Sequence, residues 1–363
     1  MRLIRYKFAT AVITVVFCLS SGIATAQQTV RIGQATSSLS FVAIFAARAL
    51  KTFDEQGLTA TAAILPGGDP AALAALDAGD IDLAAVGPEA VLRAAAKGQP
   101  FEIVYSLMSK VTPQLVVSSA FLDRTGVKAT DPLAKRLATL KGAIVGVSAI
   151  GGTQETVARW LGAKGGLDPK ADIKVAQVGG PPALQAALEN KRIDAFVLSP
   201  PEGYLAEKSG AGTVLVSISD DFPQVARQPY LVLVAKKPIK EATSDLITRT
   251  IKALQAASIA LTDNPQPTAR TIQAQFFPKA DPDGVLAAVK AMNSGIAEGG
   301  KLDVAGFQNL LTFSAEVGTD FGKNFDAKTL EGDLWTNQFV DAAKAKQPRR
   351  MTSRSHPNRP HPR

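Results

Sequence analysis

Cysteine and histidine are almost missing from this chain. Its 363 residues include one cysteine, Cys18, and two histidines, His356 and His361. Residues 27–346 therefore contain neither side chain, which excludes disulfides, thiol nucleophiles, thiolate metal sites and catalysis by Ser-His-Asp or Cys-His groups from that region. Chemistry by carboxylates or lysines is left open. No cofactor and no metal are expected.

The first 26 residues are typical of an export signal. Three basic residues precede an apolar run at positions 8–19, and Ala24-Thr25-Ala26 supplies the small residues for cleavage before Gln27. This run is shorter than the roughly 20 apolar residues that cross a bilayer, and no later segment is a candidate. The prediction is an exported protein whose residues 1–26 are a removable signal peptide. Cys18 would be discarded with that signal; a lipid anchor on Cys18 is the alternative, although Phe17 stands where a small residue is expected.

The net charge of +8 comes from the two ends of the chain. Three uncompensated basic residues lie in the signal and five arginines lie after residue 346, so residues 27–346 have a net charge of zero. A body without excess charge gives no electrostatic reason to expect nucleic-acid binding. The tail, residues 347–363, is rich in arginine and proline and is predicted to be disordered; a binding role for it is the alternative.

Short apolar runs alternate with helical patterns through most of the chain. TVRIG at positions 29–33 is followed by a helical pattern at 41–53, and the run at 58–65 by a helix that starts at Gly67-Gly68-Asp69-Pro70. This alternation predicts an α/β fold with doubly wound, largely parallel sheets and helices on both faces. From Pro238 onward the pattern is helical only.

The same series of elements occurs twice, at an offset of 112 residues. Gly67-Gly68-Asp69-Pro70-Ala71 matches Gly179-Gly180-Pro181-Pro182-Ala183, and Ile81-Asp82 matches Ile193-Asp194. Two similar α/β lobes explain the repeat; chance similarity between Ala/Leu helices is the alternative. Asp82 and Asp194 stand at strand starts and are interpreted as structural.

The repeat also predicts the domain organisation. Residues 27–112 and 230–346 would form a discontinuous lobe one, with the C-terminal helices packed on it, and residues 113–229 would form lobe two. Two hinge crossings would join the lobes and permit closure over a ligand.

In open α/β sheets, ligands bind beyond the carboxyl ends of the strands. Facing lobes would enclose a cleft between two such edges, lined by hydroxyls, glycines and helix N-termini. Met108 and Lys110 join the candidates because they lie near the first crossing. The predicted ligand-binding residues are Thr36, Ser37, Ser38, Gly87, Pro88, Glu89, Met108, Lys110, Gly151, Gly152, Thr153, Ser199, Pro200 and Glu202.

Several of these residues have a second interpretation. Each hydroxyl is also suited to capping a helix without touching a ligand. Glu89 and Glu202 fall in similar turns on opposite lobes, where they suit a cationic or hydroxylated group, an acid/base pair, or simple compensation of the helix dipole.

A strand, a glycine turn and a helix start follow one another in IVGVSAIGGTQETVARWLGA, residues 144–163. Such a unit directs free backbone N–H groups and a helix N-terminus at the sheet edge, and both favour an anionic or acceptor-rich ligand. The glycines fit neither GxGxxG nor the GxxxxGK[ST] phosphate loop, so no nucleotide site is predicted. The turns contain no arginine or lysine, so neutral donors and helix ends would hold an anion.

Taken in order, these segments resemble the periplasmic substrate-binding proteins of ABC importers, in the nitrate/sulfonate/taurine branch with the type II binding-protein fold. The resemblance covers roughly residues 29–345. It rests on the export signal, VRIG with its polar turn, FDEQGL, AALDAGDIDLAAVGPE, SAIGGT and ALENKRIDAFVLSPPE. The turns at 36–38, 87–89, 151–153 and 199–202 match those of the family. The related thiamine-pyrimidine synthases share the fold but use histidine and a cysteine-rich segment, which this chain lacks.

The resemblance implies capture of a small organic solute between the lobes and delivery to an ABC permease at the inner membrane, without catalysis. Helix N-termini favour an anionic solute, while sulfonate, carboxylate, amide and neutral groups all stay open. A monomer is expected. The alternatives are a periplasmic enzyme that uses Glu89, Glu202 or Lys110, and a ligand-sensing partner of a membrane signalling protein.

Overall fold

Two five-stranded sheets organise the protein. The computed structural model describes residues 27–222, 227–293, 295–296, 298–316 and 318–345, so the predicted signal peptide with Cys18 and the arginine-rich tail lie outside the described residues. The strands are β1 (Gln28–Gln34), β2 (Leu58–Ile64), β3 (Leu83–Val86), β4 (Phe101–Met108), β5 (Gln114–Ser118), β6 (Ile144–Val147), β7 (Lys174–Gln177), β8 (Ala195–Leu198), β9 (Gly212–Ser217) and β10 (Leu231–Lys236).

The two sheets have the same topology. Sheet one has the order β2-β1-β3-β10-β4 and sheet two the order β7-β6-β8-β5-β9. In each, the second strand pairs in parallel with both its neighbours. Four strands of each sheet run in one direction, and the fourth strand in the order, β10 or β5, runs antiparallel to the two strands beside it. The predicted fold of two largely parallel α/β lobes is confirmed. The exception has a simple cause: β5 and β10 follow the crossings, so each enters its sheet from the edge that faces the other lobe.

The internal repeat is visible in atomic detail. Asp82 accepts a hydrogen bond from the Arg31 backbone N–H (2.8 Å), and Asp194 accepts one from the Ile144 backbone N–H (2.9 Å). Gly33 and Gly146 also correspond, because a Cβ atom at either would lie within 2.7 Å of the isoleucine that precedes its aspartate. Asp82 and Asp194 thus have the structural role that the sequence predicts.

The helices surround both sheets. They are α1 (Val42–Ala49), α2 (Gly68–Ala78), α3 (Pro88–Ala96), α4 (Ser119–Thr125), α5 (Leu133–Ala138), α6 (Thr153–Lys164), α7 (Pro181–Glu189), α8 (Glu202–Ser209), α9 (Ile218–Asp221), α10 (Glu241–Asp263), α11 (Pro265–Phe276), α12 (Pro282–Asn293), α13 (Val304–Glu316) and α14 (Gln338–Ala345). The long helix α10 packs against α1 and α14 beside sheet one, and α11 packs against α1 and α12. In addition, α13 contacts α6 of the second lobe. None of the described helices is both long and apolar enough to cross a membrane.

The two crossings between the sheets run side by side. The Tyr230 backbone N–H donates to the Met108 carbonyl (2.8 Å), and the Gln228 N–H donates to the Ser109 carbonyl (3.1 Å). One buried apolar cluster continues from sheet one through Met108 and Val111 into the second lobe. The carboxyl edges of the two sheets meet directly above these crossings.

Candidate functional site

A small polar cavity lies where the carboxyl edges of the two sheets meet. Its volume is about 40 Å³, room for about three water molecules. Lobe one contributes Ala35 and the side chains after β1 and β2, and lobe two contributes the turns after β6 and β8. The polar lining consists of Thr36, Ser38, Ser40, Asp69, Ser148, Thr153, Gln154, Ser199 and Tyr230.

The structure brings five of the predicted binding residues to this cavity and places nine elsewhere. Ser37 and Glu202 line a neighbouring groove of about 410 Å³. The five are Thr36, Ser38, Gly152, Thr153 and Ser199. The nine outside the lining are Ser37, Gly87, Pro88, Glu89, Met108, Lys110, Gly151, Pro200 and Glu202.

The residues near the crossings have other surroundings. Met108 is fully buried at the end of β4, where its sulfur and the Lys110 Cβ both lie against Gly295. Lys110 is half-buried. Pro88 is the first residue of α3 and is buried behind Gly87.

In the turn after β1, side-chain hydroxyl oxygens accept hydrogen bonds from backbone N–H groups of the same turn. Thr36 Oγ1 accepts from the Ser38 N–H (3.2 Å), and Ser38 Oγ accepts from the Ser40 N–H (3.2 Å). Ser38 thereby caps the short 3-10 helix Leu39–Phe41. Both side chains still line the cavity, so capping holds their oxygens at its wall.

The turn after β6 differs from the expectation of free N–H groups. The Ser148 N–H donates to Gln154 Oε1 (2.8 Å), and the Gly151 N–H donates to Glu155 Oε2 (2.6 Å). Both acceptors belong to the first turn of α6, whose side chains fold back over the loop. These amides are therefore occupied by the protein itself.

A pair of buried carboxyl groups from lobe one meets α6 of lobe two. Thr153 Oγ1 lies 3.4 Å from Asp69 Oδ2 and 3.3 Å from Glu89 Oε2, within hydrogen-bonding distance of both. Burial raises the pKa of Glu89 to about 7, although its own N–H and Arg93 oppose the shift. Burial also raises the pKa of Asp69, against hydrogen bonds from Gly87 and Thr153. The pair thus holds protons far more readily than solvent-exposed acids do.

Arg93 is the basic residue that ties this pair to lobe two. Its Nη1 donates to the Gly151 carbonyl (2.9 Å), and its Nη2 donates to Thr156 Oγ1 (3.3 Å). Arg93 was not among the predicted residues, because it lies inside α3 and not in a turn at the sheet edge. Arg93 follows Glu89 by four residues, so both lie on one face of α3, and that spacing was the available signal.

Ser199 and Tyr230 form another part of the cavity lining. Ser199 Oγ hydrogen-bonds Thr112 Oγ1 (2.8 Å), and it also bonds the Tyr230 hydroxyl. Burial raises the pKa of Tyr230, and the charges of Glu89, Asp69 and Glu202 add to that effect. Tyr230 and Asp69 were not among the predicted residues. Asp69 stands in the GGDP segment of the repeat, at the start of the helix that follows β2, and that position was the available signal.

Glu202 lies in the first turn of α8 and is 7% exposed. Burial raises its pKa to about 8, and its Oε2 has no hydrogen-bond partner among the described residues. Across the described part of the chain, no group of three or more His, Cys, Asp or Glu side chains is arranged to hold a metal ion.

The sequence profile of the NMT1-like family matches residues 24–276, well over half of the chain. The chain belongs to the NMT1-like family. A search of curated proteins found no match for this NMT1-like protein.

Solved structures show how widely the fold is shared. A protein from Bordetella bronchiseptica RB50 superposes with a TM-score of 0.74 at 24% identity, over 88% of this chain and 98% of that chain. A ligand-binding component of an ABC-type import system from Staphylococcus aureus, with zinc bound, gives 0.68 at 16% identity over 87% and 99%. The alkanesulfonate-binding protein SsuA from Xanthomonas axonopodis pv. citri, bound to MOPS, gives 0.64 at 18% identity over 82% and 96%. The NMT1-like protein thus has the periplasmic binding protein fold that the resemblance of its sequence implied.

Proposed function

We propose that this protein is a periplasmic receptor that binds a small organic solute between its two lobes and delivers it to an ABC importer. Residues 27–112 and 230–346 would form one lobe and residues 113–229 the other. The observation that carries the proposal is that side chains of both lobes line the small cavity at the meeting edges of the two sheets and the larger groove beside it. In open α/β sheets that edge is the general place for ligands.

Two of the structural neighbours support the proposal by what their names say. One is a ligand-binding component of an ABC-type import system, and another is an alkanesulfonate-binding protein. Carried over to this chain, these names favour solute capture for an ABC importer. The proposal adds that the receptor acts as a monomer and passes its solute to a membrane permease.

An anionic solute is the class that the sequence favours. The N-terminus of α6 and the hydroxyls of Thr36, Ser38 and Ser199 border the cavity, and helix N-termini attract negative charge. An anion would have to be held next to Asp69, whose carboxyl group also borders the cavity.

An enzyme is the second candidate, because two observations favour it. Glu89 and Glu202 have pKa values raised to about 7 and about 8, a range suited to general acid–base catalysis near neutral pH. Neither glutamate lines the cavity that the two lobes share, so the receptor is the function that the geometry supports better.

A thermal-shift screen of small organic acids, amides and amines tests the proposal. A receptor is stabilised by its solute and returns that solute unchanged after incubation. In solution scattering, the protein with bound solute should have a smaller radius of gyration than the protein alone. Turnover that disappears in Glu89→Gln would support the enzyme instead. If no compound stabilises the protein, the receptor function is contradicted. A signalling kinase gene beside this one, in place of a permease and an ATPase, would favour a sensing role.

A further inference from the structure

A groove large enough for an organic solute opens beside the small cavity. Its volume is about 410 Å³, within the range of about 300–1,000 Å³ that is usual for small-molecule sites. The cavity of about 40 Å³ has no such room. Groove and cavity border the same two loops, since Ser37 lies between Thr36 and Ser38, and Glu202 lies three residues after Ser199.

Both lobes and the C-terminal helices form the walls of this groove. Ser37 belongs to lobe one, and Pro181 and Leu205 belong to α7 and α8 of lobe two. The segment after α11 closes the groove with Phe277, which is half-buried, and with the adjoining residues 278–280. A molecule in the groove would contact both lobes at once, as a solute that stabilises closure must.

The walls are mainly apolar, and their unpartnered polar atoms are acceptors. Glu202 Oε2 and Gln185 Oε1 are buried and have no hydrogen-bond partner within the described part of the chain. The amide nitrogen of Gln185 already faces Glu189 Oε1 at 3.4 Å. Lys279 is the basic residue of the groove, and it is exposed at the rim.

Leaving a buried acceptor without a donor is unfavourable, and a buried carboxylate without a counter-charge is more so. A ligand that brings N–H donors into the groove would remove both deficits. A ligand that brings a carboxylate or sulfonate would supply neither an N–H donor for these two acceptors nor a counter-charge for Glu202.

From this arrangement we propose that the groove holds the apolar body of the solute, and that Glu202 and Gln185 accept hydrogen bonds from an amine or amide group on it. This inference rests on the proposed receptor function and specifies its substrate class. It departs from the anionic solute that the sequence favours.

Calorimetric titration with benzylamine, benzamide and benzoate tests the inference, because these probes share one ring and differ in the polar group. Benzylamine and benzamide should bind, and benzoate should bind at least about tenfold more weakly, as expected for hydrogen bonds to a charged group. Glu202→Gln should weaken benzylamine and leave benzamide nearly unchanged, since the new amide still offers an acceptor. Glu241→Gln, an exposed acid on α10 outside the groove lining, is the matched control and should bind like the natural protein.

Ala280→Trp supplies an independent test, because Ala280 lines the groove and a large side chain there would fill it. This variant should bind neither benzylamine nor benzamide. The inference is overturned if benzoate binds as tightly as benzylamine, if Ala280→Trp binds unchanged, or if none of the three probes binds. A solute from the thermal-shift screen that binds Ala280→Trp normally would also overturn the groove while leaving the receptor function intact.

Discussion

Residue 87 has no room for a side chain. A Cβ atom on Gly87 would lie 1.8 Å from Thr153 Oγ1, which belongs to the other lobe, and 3.1 Å from Glu89 Oε2. The backbone there is extended, with φ of −72°, a conformation open to any residue. The close approach of the two lobes, and not backbone strain, is therefore what requires glycine.

Gly87→Ala should hold the lobes apart. We expect the solute found by the thermal-shift screen to bind at least about tenfold more weakly, since a displacement at the site removes contacts worth more than 1.4 kcal/mol. Solution scattering should show a larger radius of gyration at saturating solute. The double variant Gly87→Ala with Thr153→Ala removes the clashing oxygen and should recover most of the closure. Equal affinity of Gly87→Ala and the natural protein would contradict this account.

The buried glutamates predict how stability depends on pH. Between pH 4.5 and the raised values of about 7 for Glu89 and about 8 for Glu202, the folded protein keeps protons that the unfolded chain has released. The free energy of unfolding must then fall as the pH rises through this window, by on the order of 1.4 kcal/mol per unit of pKa shift. Above about pH 8 the two contributions should level off.

Urea titrations from about pH 5 to about pH 9 measure this slope directly. Glu202→Gln should remove the part of the slope between about pH 7 and 8, because a glutamine does not titrate. Asp82→Asn, at an acid with structural hydrogen bonds, should lower stability without flattening that part of the curve. A stability that rises between pH 5 and 8 would show that these carboxyl groups are ionised in the folded protein.

Local sequence predicts which turns reach the carboxyl edges, but not which side chains cross between lobes. Thr36 and Ser199 lie within two residues of a strand end, and Thr153 is the first residue of the helix after β6, so their positions could be inferred. Arg93 on α3 and Asp69 on α2 contact residues of the other lobe, at the start of α6 and in the turn before it. These contacts depend on how the two lobes pack, which no local sequence pattern indicates.

At the scale of elements, the repeated aspartates tie the strands together. Asp194 accepts from Ile144 in β6 and from Arg124 (2.8 Å), and its carbonyl accepts from the Ser118 N–H (2.8 Å). Asp194→Ala leaves the Ile144 N–H without its carboxylate partner, so we expect the free energy of unfolding to fall by about 1–3 kcal/mol. Asp123→Ala, at an exposed acid on α4, is the control. A loss no greater than that of the control would show that water replaces the bond.

An apolar run in the sequence predicts a strand but not the direction in which that strand enters its sheet, as β5 and β10 show. Each run indicates a strand, and the repeat indicates two similar sheets, but a strand pattern reads the same in both directions. The antiparallel direction follows only from the path of the chain, because a strand that arrives from the other lobe starts at the facing edge.

At the scale of the whole molecule, the C-terminal helices do more than cover lobe one. Asp281, just before α12, accepts from the Tyr204 hydroxyl of α8 (2.6 Å) and pairs with Lys208 (3.1 Å). Glu316, at the end of α13, accepts from Trp160 Nε1 (2.8 Å) and pairs with Lys164 (2.8 Å). Burial alone would raise the pKa of Glu316, but the bonds from Lys164 and Trp160 outweigh it and hold that pKa below its usual value.

These two contacts lie on different helices of lobe two and would both break if the lobes separated. Exposed ion pairs contribute little to the free energy of unfolding, so their effect should appear in closure. The double variant Asp281→Asn, Glu316→Gln should release bound solute several-fold faster in stopped-flow measurements, with nearly the same melting temperature. Its release rate should also depend less on salt than that of the natural protein, because screening acts on charges that the variant has lost.

Asp245→Asn is the matched control, since Asp245 pairs with Arg249 within α10 and not across the lobes. Its release rate should equal that of the natural protein. An unchanged release rate in the double variant would mean that the contacts of Asp281 and Glu316 do not stabilise the closed arrangement. Arg93 and the buried cluster through Met108 and Val111 would then stabilise it without them.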